Sequence, residues 1–266
     1  MKKFLRDYPK AVVGMVHCLA LPGTPRFNDD LDKVKAQAVN DAVVLEKCGF
    51  SAIMIENMGD APYKEKMELE QVTALTAIAE AIKQKISVPL GIDCAFSDYK
   101  ASLAIAKAVG ADFIRIPVFV DTVIFSDGIV YPSARDALSY RKKIMAEDIA
   151  ILADIQVKHT HMLNPNITLE ESAKLAENSG ADAIVVTGVL TGVSASTEDL
   201  KKIKKLVKIP VFVGSGVNHK NIQEQLEIVD GMVVGSSIKP EGKVELPVDE
   251  GLCKSLIAEI KKGENK

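Results

Sequence analysis

Residues 153–161, with the sequence ADIQVKHTH, combine an apolar segment with polar side chains at every second position. Alternate side chains of an extended strand share one face, so Asp154, Gln156 and Lys158 are predicted to point in the same direction. A carboxylate, an amide and an amine are costly to bury without partners. The segment therefore indicates a strand whose inner face carries acid–base or ligand-binding groups.

Polar residues near the ends of other apolar segments are predicted to face the same interior. Arg115 lies between Ile114 and Ile116, which pack outward and leave the arginine facing inward. Other segments end in His17, Glu56, Asp93 and Thr187. An inward pair of an acid and an arginine can also simply fill a layer of the core. The candidate catalytic residues are His17, Glu56, Asp93, Arg115, Asp154 and Lys158.

Two mechanisms fit these side chains. In the first, the carboxylate of Asp93 or Asp154 abstracts a proton beside a carbonyl group, and His17 or Lys158 stabilises the enolate. This chemistry is that of an isomerase or epimerase. In the second, Lys158 forms a Schiff base with the carbonyl carbon, as in an aldolase. The second ranks lower, because Lys158 is expected to form an ion pair with Asp154.

A divalent metal ion is a further candidate component. Glu56, Asp93 and His159 offer oxygen and nitrogen donors, and His161 adds a second imidazole. The HxH spacing alone is a weak metal-binding pattern, since zinc requires three or four converging protein ligands. No other cofactor is indicated.

Two glycine–serine segments follow apolar runs late in the chain. They contain Gly214, Ser215, Gly216, Gly235, Ser236 and Ser237. Backbone N–H groups of such turns can surround a phosphate dianion, and serine hydroxyls add donors. The glycines can alternatively serve only to form tight turns. Two such turns after the last two strands match the phosphate site that recurs in α/β barrels, so a phosphorylated ligand is predicted here.

Eight short apolar segments alternate with segments of helical periodicity. The predicted strands are residues 11–16, 52–57, 88–93, 112–118, 150–157, 182–188, 210–216 and 231–237. The clearest predicted helices are residues 31–49, 69–83, 102–110, 169–180 and 197–207. Eightfold alternation predicts a single (β/α)8 TIM barrel spanning residues 1–266, with an N-terminal segment (1–10) and a frayed tail (262–266). An open doubly wound sheet is the alternative fold.

Strand entrances and loops add detail to the barrel prediction. Similar short motifs, such as Gly110-Ala111-Asp112 and Gly180-Ala181-Asp182, precede the even-numbered strands, which suggests a two-unit rhythm. The Pro- and Gly-rich loop at 17–27 is predicted to form a stiff flap over the barrel mouth. The loop at 187–196 is predicted to form a lid, or alternatively a plain connection.

Composition narrows the function classes. The net charge is −3 and no long basic run occurs, which argues against a nucleic-acid-binding protein. Four widely spaced cysteines form no CxxC pair, and this is typical of reduced thiols in a cytoplasmic protein. No segment reaches the length of a transmembrane helix. The oligomeric state is open, with a homo-oligomer among the alternatives.

Four motifs resemble the BtpA/SgcQ family: VVGMVHCLALPGTPRF, ADIQVKHTH, DAIVVTGVLTG and VFVGSGV. The resemblance runs from about Val12 to near the C-terminus, and it implies a barrel of the ribulose-phosphate-binding group. One branch of the family is named for photosystem I biogenesis, and other members lie among sugar-uptake and sugar-metabolism genes. The resemblance carries over no catalytic residues.

Together these observations predict an enzyme that acts on a small phosphorylated metabolite, such as a sugar phosphate. The isomerase or epimerase mechanism ranks above the aldolase mechanism. The alternative is a non-catalytic barrel that binds a phosphorylated ligand and a protein partner as an assembly factor. That alternative predicts that single substitutions at Asp93 and Lys158 are tolerated.

Overall fold

The protein forms a closed barrel of parallel strands in a computed structural model that describes residues 1–188 and 194–264. The strands are β1 (Ala11–His17), β2 (Ala52–Glu56), β3 (Leu90–Asp93), β4 (Phe113–Ile116), β5 (Val123–Phe125), β6 (Gly128–Val130), β7 (Ala150–Ile155), β8 (His161–Met162), β9 (Ala183–Val186), β10 (Val211–Val213) and β11 (Gly231–Val234). The barrel order is β1-β11-β10-β9-β7-β4-β3-β2. Each predicted strand supplies one barrel strand. The TIM-barrel prediction is confirmed, and the open-sheet alternative is wrong.

Helices cover the outside of the barrel between successive strands. The helices are α1 (Lys3–Asp7), α2 (Leu31–Cys48), α3 (Leu69–Lys83), α4 (Tyr99–Val109), α5 (Ala134–Lys143), α6 (Leu169–Asn178), α7 (Thr197–Leu206), α8 (Ile222–Ile228) and α9 (Glu250–Glu264). The five predicted helices correspond to α2, α3, α4, α6 and α7. Gly49 and Gly110 end α2 and α4 with positive φ angles, a conformation that glycine adopts without strain. Short 3-10 turns follow β2 and β11.

The inner face of the barrel changes from apolar to polar along the strand direction. In β7, Ala150 and Leu152 lie in the inner apolar cluster, and Asp154 follows on the same face. Phe113 and Phe212 fill this cluster opposite two glycines. A Cβ on Gly91 would lie 2.2 Å from Phe113, and one on Gly231 would lie 2.2 Å from Phe212. Only glycine leaves room for these rings, so the lower barrel is solid and the polar groups gather at the C-terminal end.

Helix α1 closes the opposite end of the barrel. Phe4 is buried, and its ring stacks on that of Phe113 with centroids 4.3 Å apart. The predicted N-terminal segment (1–10) therefore contributes directly to the core. At the other terminus, α9 extends to Glu264, so the first residues of the predicted frayed tail are helical, and 265–266 lie outside the described residues.

The similar motifs before the second, fourth, sixth and eighth barrel strands (β2, β4, β9 and β11) have one structural role. In each, a side chain just before the strand accepts a hydrogen bond from a backbone N–H of the preceding strand or its entrance. The pairs are Ser51 with Val12, Asp112 with Leu90, Asp182 with Ile151, and Asp230 with Val211. Each aspartate also forms an ion pair with the helix that leads into that preceding strand: Lys83 of α3, Arg141 of α5 or Lys204 of α7. This repeated contact fixes neighbouring strands at the bottom of the barrel.

A small antiparallel sheet, absent from the sequence prediction, lies in the loops of the C-terminal end. Its order is β6-β5-β8, and Val123, Val130 and Val157 form a buried cluster with Phe96 beneath it. The three strands have two or three residues each, too short for a period to be recognised in sequence. The sheet shapes one side of the barrel mouth.

Candidate active site

His17, Glu56 and Asp93 end three adjacent strands and lie side by side at the mouth. Strand register pairs His17 with Glu56 and Glu56 with Asp93. Nε2 of His17 lies 3.7 Å from Oε2 of Glu56. The three side chains are mostly buried, and all line one cavity above the barrel. The predicted convergence of these residues is therefore observed.

Arg115 binds Asp154 through two parallel hydrogen bonds. Nε donates to Oδ1 at 2.8 Å and Nη2 donates to Oδ2 at 2.7 Å. Burial alone would lower the pKa of Arg115, but the Asp154 carboxylate raises it above its ordinary value. Asp154 is fully buried and does not line the cavity. Its predicted role as a proton-abstracting base is unsupported, because both of its oxygens accept hydrogen bonds from the guanidinium and it borders neither the cavity nor the narrow pocket.

Asp93 lines the cavity, and one of its two carboxylate oxygens has no hydrogen-bond partner among the described residues. Its Oδ2 lies 3.7 Å from Nη1 of Arg115, while its buried Oδ1 has no hydrogen-bond partner within the described chain. Burial, and then the charge of Glu56, raise the pKa of Asp93 well above its ordinary value. Burial likewise raises the pKa of Glu56. A carboxyl with a raised pKa exchanges protons closer to neutral pH, as an acid–base catalyst requires.

His17 is held in its neutral form. Burial lowers its pKa well below the ordinary value, and the charges of Lys239, Lys158 and Arg115 add to this effect. Its buried Nδ1 has no partner among the described atoms. A neutral imidazole can donate one hydrogen bond and accept another, so His17 can orient a polar group without adding charge.

Lys158 reaches the mouth without an ionic partner. Among the described residues it forms no ion pair, because Arg115 occupies the Asp154 carboxylate. Burial, followed by the charge of Arg115, lowers the pKa of its ammonium group. The predicted ion pair between Lys158 and Asp154 is therefore wrong. The backbone N–H of Lys158 donates to Oγ1 of Thr187, which places this predicted inward residue at the same mouth.

Gln156 departs from the predicted alternation. Strand β7 ends at Ile155, and Gln156 has a φ of +44°. Its Nε2 donates to the carbonyl of Ile167 and to Oγ of Ser172, at 3.0 and 3.3 Å. The side chain therefore faces helix α6 instead of the barrel interior. Val157, predicted to pack on the helices, instead packs beneath the small sheet and lines the cavity.

A narrow pocket of about 30 Å³ lies between the two glycine–serine turns. Gly214, Ser215, Gly216, Gly235 and Ser236 line it, whereas Ser237 does not; the Ser237 hydroxyl is buried elsewhere without a partner in the described chain. Oγ of Ser215 accepts a hydrogen bond from the backbone N–H of Gly188. The amides of Asn218 and Asn221 donate to the carbonyl of Gly216, which has a φ of +71°.

The predicted metal ligands do not form a donor set. Within residues 1–188 and 194–264, no group of three or more His, Cys, Asp and Glu side chains is placed to hold a metal ion. Glu56, Asp93 and His159 all line the cavity, but His159 is exposed at its rim. His161 is exposed on β8 of the small sheet. The two histidines lie apart from the carboxylates of Glu56 and Asp93 because the chain turns at His159, which has a φ of +65°.

The large cavity has a volume of about 720 Å³ and opens above the polar residues. The predicted flap (17–27) contributes Cys18, Leu19, Ala20 and Arg26 to its wall. Of the predicted lid (187–196), residues 189–193 lie outside the described residues. The wall also contains Tyr63, Phe96 and Phe125, which sequence analysis missed, because they follow no periodic pattern.

Four side chains border both the large cavity and the narrow pocket: His17, Glu56, Arg115 and Lys158. They therefore stand where the two spaces meet. A ligand with one end in the narrow pocket and the other in the cavity would place its middle beside these groups. This junction is the position at which the site offers acid, base and cationic groups together.

The model of the BtpA family matches residues 8–262. The chain belongs to the BtpA family. The sequence resemblance is thereby confirmed. One relative, an uncharacterised protein of Pyrococcus furiosus, is 39% identical over 250 residues, covering 93% of this chain and 94% of its own. The photosystem I biogenesis protein BtpA of Synechocystis is 34% identical over 255 residues, covering 95% and 88%.

Solved structures share the fold of this BtpA-family chain. Thiamine phosphate pyrophosphorylase from Pyrococcus furiosus superposes with a TM-score of 0.58 at 20% identity, covering 97% of this chain and 98% of the other. (S)-3-O-geranylgeranylglyceryl phosphate synthase from Thermoplasma acidophilum superposes with a TM-score of 0.63 at 16% identity, covering 98% and 100%. That structure was solved in complex with sn-glycerol-1-phosphate. At these identities the likeness shows the TIM-barrel fold.

None of the helices in the described chain combines the length and the apolar character that crossing a bilayer requires.

Proposed function

We propose that the chain is an enzyme that binds a small phosphorylated carbonyl compound and transfers a proton next to its carbonyl group. The observation that carries the proposal is the junction described above. His17, Glu56, Arg115 and Lys158 border both spaces, and Asp93 lines the cavity and has a buried oxygen with no hydrogen-bond partner in the described chain.

The phosphate group would bind in the narrow pocket between the glycine–serine turns. Glycines allow an anion to approach the backbone closely, and Ser236 adds a hydroxyl. Arg115 and Lys158 border this pocket and supply positive charge. Similar proteins support this placement at the level of the fold, since the two named above carry a phosphate compound in their names. Ser237 is left out of this site because it does not line the pocket.

Proton transfer would use Asp93 as the base. Its carboxylate takes the proton from the carbon beside the carbonyl, and the electron pair of the broken C–H bond forms the enolate. Lys158 and neutral His17 can donate hydrogen bonds to the enolate oxygen. If the proton returns to the former carbonyl carbon, while the proton of the neighbouring hydroxyl moves to the enolate oxygen, the product is the isomer. If a second acid protonates the original carbon from the opposite face, the product is the epimer. Burial and the charge of Glu56 raise the pKa of Asp93, which makes its carboxylate a stronger base than that of an exposed aspartate.

An aldolase mechanism is the second candidate. Lys158 has no ion pair within the described chain, and its pKa is lowered by burial and by Arg115. Both features increase the fraction of neutral amine, the form that attacks a carbonyl carbon. The sequence ranked the aldolase mechanism lower because Lys158 was expected to pair with Asp154. Among the described residues that pair does not form, so the aldolase mechanism gains support.

A non-catalytic function is the remaining rival. The Synechocystis relative is named as a biogenesis protein, and a barrel that binds a phosphorylated ligand and a protein partner would fit that name. Buried acid groups with raised pKa values favour the enzyme, because a pure scaffold gains no stability from them. Sugar-phosphate metabolism, a cytoplasmic location and a homo-oligomer stay predictions.

Exchange of carbon-bound hydrogen tests the proposal. The protein is incubated in deuterium oxide with aldose and ketose phosphates of three to six carbons, and proton NMR follows each C–H next to a carbonyl. We expect one or more compounds to gain deuterium with wild type, and Asp93→Asn to lose this activity. Asp136→Asn, an exposed carboxyl in the first turn of α5, serves as the matched control. Exchange at the uncatalysed rate for every compound would contradict the proposal.

A further inference from the structure

The wall of the large cavity opposite the narrow pocket contains three aromatic side chains from three successive loops. Tyr63 follows β2, Phe96 follows β3, and Phe125 lies on β5 of the small sheet. The rings of Phe96 and Phe125 are stacked, with centroids 3.7 Å apart and planes 7° from parallel. The hydroxyl of Tyr63 donates to the carbonyl of Met58 at 2.7 Å, which fixes the ring against the wall.

The small sheet supports this wall. Val123 of β5 and Val130 of β6 are buried and belong to one apolar cluster with Phe96, Val118 and Val157. Phe125 remains partly exposed and borders the cavity. A rigid aromatic surface beside an open space provides a stacking platform for a planar group.

The size of the cavity agrees with a ligand larger than a sugar phosphate. Its volume is about 720 Å³, in addition to the narrow pocket. Clefts of roughly 300–1,000 Å³ usually hold ligands of drug size. Pro62 and Pro117 extend the apolar lining on the same side. A triose or pentose phosphate alone would leave this part of the cavity filled with water against apolar side chains.

We infer that the substrate carries an aromatic or heteroaromatic ring at the end opposite its phosphate, seated against Tyr63, Phe96 and Phe125. This inference rests on the proposed function, since it assumes that phosphate occupies the narrow pocket. The sugar or polyol that joins the two ends lies at the junction, beside Asp93 and Lys158. Phe125 is then a specificity-determining residue.

Calorimetric titration with matched probes tests the inference. Ribose 5-phosphate is compared with AMP, UMP and nicotinamide mononucleotide, each of which adds a ring to the same phosphorylated sugar. We expect at least one ring-bearing probe to bind wild type about tenfold more tightly than ribose 5-phosphate, in line with the usual strength of base–aromatic stacking. In Phe125→Leu, which keeps apolar volume but removes the ring, this advantage should fall to about twofold or less.

Controls separate this inference from the proposed function. Tyr131→Ala removes an exposed ring next to the small sheet, outside the cavity lining, and should keep the full advantage. Thermal melts check that both variants fold. If ribose 5-phosphate binds but no ring-bearing probe binds more tightly, or the advantage survives in Phe125→Leu, the inference is wrong and the phosphate site stands. If no phosphorylated probe binds wild type, the proposed function fails and the inference fails with it.

Discussion

Arg115 holds both oxygens of Asp154, at 2.8 and 2.7 Å, in the middle of the barrel mouth. The carboxylate is fully buried and the guanidinium nearly so. This pair keeps Asp154 from reaching a ligand and leaves Lys158 without its expected ionic partner. It also turns Nη1 of Arg115 towards Asp93, at 3.7 Å from Oδ2. We therefore expect Asp154 to hold Arg115 in place at the junction of the two spaces, without contacting a ligand itself.

Asp154→Asn should destabilise the fold. The substitution leaves the buried guanidinium of Arg115 without its full charge partner, and breaking a buried pair in this way costs about 3–5 kcal/mol. Urea denaturation followed by circular dichroism measures the free energy of unfolding. Glu198→Gln, which breaks the exposed Glu198–Lys202 pair on α7, is the control and should change stability little. Unaltered stability in Asp154→Asn, with activity lost, would instead make Asp154 a direct participant in catalysis.

Asp93→Asn should change how stability depends on pH. Burial and Glu56 raise the pKa of Asp93 in the folded state, so the native protein binds this proton more tightly than the unfolded chain does. Above the ordinary carboxyl pKa of about 4, stability from this group therefore falls as pH rises towards the folded pKa. The variant lacks this loss, so its stability relative to wild type should rise as pH increases above about 4. Denaturation curves at several pH values measure the difference, and a constant difference would refute the raised pKa.

The sequence alone predicted the barrel and most of the polar side chains that converge at its mouth. Period-two alternation places Asp154 and Arg115 on the inner face without knowledge of the partner strands. The two hydrogen bonds between them depend on the register of β4 and β7, which the alternation of side chains does not specify. Gln156 shows the limit of the method, because one positive φ ends the alternation and no residue in the segment signals it.

The aromatic wall was harder to predict for a different physical reason. Phe96 and Phe125 are far apart in sequence and meet through loop packing, which depends on long-range contacts. The motifs before β4 and β9 recur in the sequence, but only the structure shows their role. Asp112 and Asp182 accept hydrogen bonds from the backbone N–H groups of the preceding strands or their entrances. Local patterns thus predicted elements and facing sides, while partners and cavities required the fold.

Lys158 provides a test that divides the two enzymatic mechanisms. Proteins are incubated with aldose and ketose phosphates and sodium borohydride, which reduces a Schiff base to a stable secondary amine, and intact mass is measured. The proton-transfer account predicts no mass increase that requires Lys158. Lys158→Met and Lys142→Met, a lysine in the last turn of the outer helix α5, are the variant and its control. An adduct that forms in wild type and Lys142→Met but not in Lys158→Met would establish the aldolase type.

We propose that a phosphate dianion binds between the two glycine–serine turns. Gly216→Val is a poor test, because the φ of +71° makes any side chain there strained. Ser236 lines the same pocket, so Ser236→Asp puts a negative charge where the phosphate would lie, and Ser236→Asn is the neutral control of the same size. Thermal melts confirm that both variants fold.

Calorimetric titration of wild type and these two variants with ribose 5-phosphate and with ribose is the most direct measurement. We expect wild type to bind ribose 5-phosphate and not ribose. Ser236→Asp should lose at least about tenfold in affinity, as expected for like charges in contact, whereas Ser236→Asn should lose much less. Equal affinity of wild type and Ser236→Asp for ribose 5-phosphate would show that the phosphate binds elsewhere.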